Sequence, residues 1–180
     1  MIQGQEGWDA SYTEDELIWS AGRTWRLGPE PEYVGVWHSP GRGFERIDEW
    51  DRIFRSGHAE VHEAGVRQAA RLDAAGCYEP LREPLRMQKG TYYAEYFRPT
   101  GAPRAIRQRF DERQARHAGF SLGLLAIRIG RLGPEPGGIA VWTIPSFEAL
   151  AELARELDGV REPIELVTAG TYADIGQEIL

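Results

Sequence analysis

The 180-residue chain has one cysteine, Cys77, and one lysine, Lys89. A single thiol excludes an internal disulfide framework and any multi-cysteine metal site, and it fits a reducing cytosol. Lysine is scarce because arginine supplies the other twenty of the 21 basic residues, a bias we attribute to a GC-rich bacterial genome. The opening MIQGQEGWDASYTEDE has neither a basic nor an apolar run. No stretch approaches the roughly 18 apolar residues of a membrane span. A soluble, cytoplasmic protein without a membrane partner is therefore expected. The net charge of −7 and pI near 5.2 present no broad basic surface to a phosphate backbone, so nucleic acid is not an expected partner. HExxH, P-loop, GxSxG and GxGxxG patterns are all missing, and His58 and His62 lack a convincing third ligand. Neither a metal nor a cofactor is expected.

What the chain does contain is a statement made twice. RLGPEPEYVGVW at 26–37 is answered by RLGPEPGGIAVW at 131–142. Shifting by 105 residues superposes 17–40 on 122–145 with 12 identities in 24 positions. REP at 82–84 and GTY at 90–92 recur at 161–163 and 170–172. With 42% apolar residues the chain can bury a full core. Self-similarity at this period points to a duplicated supersecondary unit whose copies pack together.

The unit reads as a hairpin followed by a helix and a closing strand. FSLGLLAIRIGR at 120–131 and GIAVWT at 138–143 are apolar and partly alternating, with a Gly-Pro turn between them. Ser146 can cap a helix whose Phe147, Leu150, Ala154 and Leu157 mark one face. GTYADIGQEIL at 170–180 closes that copy, and GTYYAEYF at 90–97 closes the first. Pro103 opens an Arg-rich helix that Gly119 stops, with Ile106, Phe110 and His117 on its buried side. The second half thus follows the order strand, helix, strand, strand, helix, strand, which is ferredoxin-like. The expected architecture is α+β: a duplicated ferredoxin-like fold of the dimeric α+β barrel type, antiparallel, with helices on one face. Residues 1–89 form a degenerate first half and 90–180 the second, within one compact unit.

ARHAGFSLGLLAIRIGRLGPEPGGIAVWTIPSFEALAE, from 115 to 152, resembles the NIPSNAP branch of the dimeric α+β barrel superfamily, which also holds antibiotic-biosynthesis-monooxygenase-like and EthD-like proteins. The likeness rests on Arg116-His117 at a helix end, Ile129-Gly130 at a strand end, the Gly-Pro turn, Trp142 and Ser146. It covers 90–180 best. The resemblance implies sheets that face each other to form a barrel around a small-molecule cavity, through a homodimer or within the chain. It also implies haem in some relatives, for which no residue set here answers. Ala94 stands where the family pattern has an Arg, and Ala140 and Gly35 where it has a His.

Candidate residues follow from strand parity. His38 shares a face with Val34 and Val36 at a strand end and is the side chain most easily poised as a base near neutral pH. A half-exposed His at a strand end is the bland alternative. Thr91, Tyr93, Glu95 and Phe97 share a face; if it lines the barrel, Glu95 is a carboxylate in apolar surroundings and a second candidate base. The alternative is an exposed Glu95 paired with an arginine. Tyr33, Trp19, Trp25 and Tyr93 supply aromatic walls for a hydrophobic or aromatic ligand. His117 and Trp142 read as structural, and Cys77 lacks a partner that would make it a nucleophile. Function narrows to a small-molecule-binding barrel, either a cofactor-independent monooxygenase or isomerase, or a non-catalytic ligand- or partner-binding module.

Overall fold

A computed structural model describes residues 16–23, 33–38, 77–85, 90–130, 135–157 and 159–174. The chain divides into two compact units, Met1–Leu17 with Trp37–Asp73, and Ile18–Val36 with Ala74–Leu180. Nearly all the described residues belong to the second. No helix among them is long and apolar enough to cross a membrane.

The strands are β1 (Glu16–Arg23), β2 (Tyr33–His38), β3 (Tyr78–Pro80), β4 (Thr91–Pro99), β5 (Ser121–Arg128), β6 (Gly138–Thr143) and β7 (Ile164–Asp174). They form one sheet in the order β2-β1-β7-β4-β6-β5-β3. The described helices are α1 (Pro103–Arg116) between β4 and β5, and α2 (Phe147–Arg155) between β6 and β7. From β4 onward the element order is βαββαβ, with β7, β4, β6 and β5 adjacent and antiparallel. This is an α+β antiparallel arrangement, compatible with the ferredoxin-like class.

Local chemistry sets the element ends. Pro103 occupies the first turn of α1, where its missing N–H costs nothing, and Gly119 takes φ +103° just beyond the helix, a conformation a side chain would resist. At α2 the Ser146 hydroxyl accepts a hydrogen bond from the Ala149 N–H at 3.3 Å. The alternation along β5 shifts register between Leu122 and Leu124, so Gly123 is the extra residue of a bulge. Its carbonyl accepts from the Leu85 N–H at 2.9 Å, and Leu125 likewise serves Leu81, extending the contact that β3 begins.

The sheet separates two layers. Tyr93, Phe97, Leu122, Leu125, Ala140 and Trp142 pack with Ile106 and Phe110 of α1 and Leu153 of α2. On the other face Tyr92, Ala94, Leu124, Ala126, Ile139, Val141 and Tyr172 form a second buried cluster, with Val34, Val36, Tyr78 and Tyr96 against it. Phe97 lies across from Gly138 on β6, and a Cβ there would stand 2.3 Å from its ring. Only glycine permits that approach.

Several details differ from expectation. β7 begins at Ile164, not at residue 170, because Ile164–Leu166 already pairs with Phe97–Pro99; the GTY match marks the strand's later part. β3 is a strand of three residues, too short to carry a periodic signal in the sequence. Phe147 is 52% exposed; the buried residue of α2 is Leu153, and Leu157 is buried in the turn just beyond the helix. The repeated hairpins also enter the sheet differently. β6, second in its hairpin, borders β4, whereas β1, first in its own, borders β7.

Candidate functional site

Glu95 and Arg113 are the only buried charged residues among those described, each with 0% of its surface exposed. β4 alternation turns Glu95 toward the helices, and helical spacing puts Arg113 on the stripe of Ile106 and Phe110. The guanidinium meets the carboxylate through two bonds, Nη1 to Oε2 at 2.8 Å and Nη2 to Oε1 at 2.9 Å. Trp142 Nε1 donates to the same Oε2 at 2.9 Å. Arg113 Nη2 also donates to the Leu153 carbonyl at 2.8 Å, and Nε to Glu156 Oε2 at 3.2 Å. Its Cζ lies 5.4 Å from the Phe110 ring centre and 5.2 Å from that of Trp142. Two charges this deep are tolerable because nearly every donor and lone pair has a partner.

The network continues toward solvent at the C-terminal ends of both helices. Arg116 donates to Glu156 from Nε at 3.0 Å and Nη2 at 3.2 Å. His117 Nε2 lies 3.1 Å from Glu156 Oε1, outside hydrogen-bond geometry. Burial would raise the Glu156 carboxyl, but Arg116, His117 and Arg113 outweigh it and hold it down at about 2. A carboxylate at the end of α2 opposes the helix dipole, and the cations of α1 offset that.

Within the cluster on the opposite face the polar groups are phenols. The hydroxyls of Tyr96 and Tyr172 are 3.1 Å apart. Burial, and then the neighbouring Tyr172, push the Tyr96 phenol well above its ordinary 10. Tyr78 is raised as well, chiefly by burial. These phenols therefore act as neutral donors and acceptors across the whole physiological range.

Glu95 lies on a face covered by α1 and α2, and its carboxylate serves three donors. Of the two alternatives weighed for it, pairing with an arginine is present, yet in the core and not in solvent. Tyr93, expected in a ligand wall, lies in the same helix-side core. Trp19 lies in β1, Tyr33 opens β2 and His38 closes it; their side chains, and Trp25 altogether, lie outside the described residues. Arg113, Tyr96 and Tyr172 were missed as polar sites. For Arg113 a signal existed: an arginine seven residues after Ile106, on the apolar stripe. Burial pushes the Cys77 thiol up, away from a reactive thiolate. Among the described residues no three His, Cys, Asp or Glu side chains are grouped to hold a metal ion.

Comparison with known proteins gives no match to any family model, to any curated protein or to any solved structure.

Proposed function

We propose that this chain is a NIPSNAP-like α+β barrel protein that binds a small hydrophobic or aromatic molecule against the tyrosine-bearing face of its sheet. The observation that supports the reading is the division of the sheet: one face is packed by the helices, while on the other Tyr78, Tyr92, Tyr96 and Tyr172 surround apolar Ala94, Ala126, Ile139 and Val141 in a separate buried cluster. Aromatic and aliphatic walls with a few hydroxyls are what a small, weakly polar ligand needs. In this reading the internal repeat and homodimerisation complete the barrel around that face.

The geometry favours binding over proton transfer through Glu95, whose oxygens are occupied by Arg113 and Trp142. A catalytic version, a cofactor-independent monooxygenase or isomerase, rests on His38 as base. Native mass spectrometry of the protein purified from its own host, with an absorption spectrum of the same sample, tests the reading. A co-purifying apolar or aromatic molecule is expected, and its retention should fall in Tyr96→Phe and Tyr172→Phe. A bare protein that also fails to bind a panel of naphthols and phenols would overturn it. A molecule retained equally by the tyrosine variants would move the site elsewhere.

A further inference from the structure

We draw no further inference here: the strongest candidate, the cluster of Arg113, Arg116 and His117 around Glu156 at the C-terminal ends of α1 and α2, belongs to the buried network already described, where its charges are turned toward one another and nothing points to a ligand.

Discussion

The two faces of this sheet share their strands and differ in their chemistry. Along β4, Tyr93, Glu95 and Phe97 alternate with Tyr92, Ala94 and Tyr96, so a single nine-residue strand feeds both layers. Toward the helices the strand places a full charge, which survives because α1 returns a guanidinium that is itself held by a carbonyl of α2. On the far side the polar groups within the cluster are phenols, and the hydroxyls of Tyr96 and Tyr172 bond each other. The difference is one of available partners: a helix can deliver a long cation into an apolar layer, whereas strand neighbours offer only what projects from the same pleated surface.

Breaking the charged layer should have the largest effect. Arg113→Ala leaves Glu95 buried and unpaired, which typically costs about 3–5 kcal/mol, read as a fall in the urea midpoint. Replacing both partners, as Glu95→Leu with Arg113→Met, should recover most of that loss; a double variant as weak as the single would show that the pair itself, not the orphaned charge, sets the cost. Gly138→Ala separates packing from charge on the same face. Its methyl would stand 2.3 Å from Phe97, an overpacking penalty of about 1–3 kcal/mol. Phe97→Leu in that background should relieve it.

The phenol layer should respond more weakly and at the opposite end of the pH scale. Tyr96→Phe removes one hydroxyl of a neutral pair, about 0.5–1.5 kcal/mol. Because the folded Tyr96 phenol lies above its ordinary 10, its contribution is intact below pH 10 and declines as the pH rises further, when the unfolded chain ionises first. Denaturation at alkaline pH should therefore weaken the parent more than Tyr96→Phe. Glu156→Gln should have the smallest effect, about 1 kcal/mol or less for a partly exposed pair. Its carboxyl is held at about 2 against an ordinary 4.5, so the stabilisation is full above pH 4.5 and is lost as the pH falls toward 2. Acid titration of the variant should be flatter over that window.

Much of the second half was legible because its punctuation is local. Pro103, Gly119 and Ser146 mark element ends, and the runs at 120–131 and 138–143 enclose β5 and β6. The polar core was not legible to the same degree. Parity showed which face of β4 carries Glu95, yet Arg113 lies 18 residues away on α1, and only the crossover over the sheet brings them together. The tyrosine pair spans 76 residues of chain and joins β4 to β7, a pairing that strand order decides and composition does not. The repeated segments are plain in the sequence, but they do not announce that β1 and β6 take unlike places in the sheet.

The carbonyl of Leu153, near the end of α2, is closed by a guanidinium that belongs to α1. A last-turn carbonyl has no partner within its own helix, so the C-terminal turn of α2 is completed by a residue 40 positions earlier in the chain. The end of α2 is thereby completed only where α1 is docked against it. A peptide covering α2 alone should fray at its end, while in the whole protein the amides of that turn should exchange with solvent at the pace of helix–helix separation.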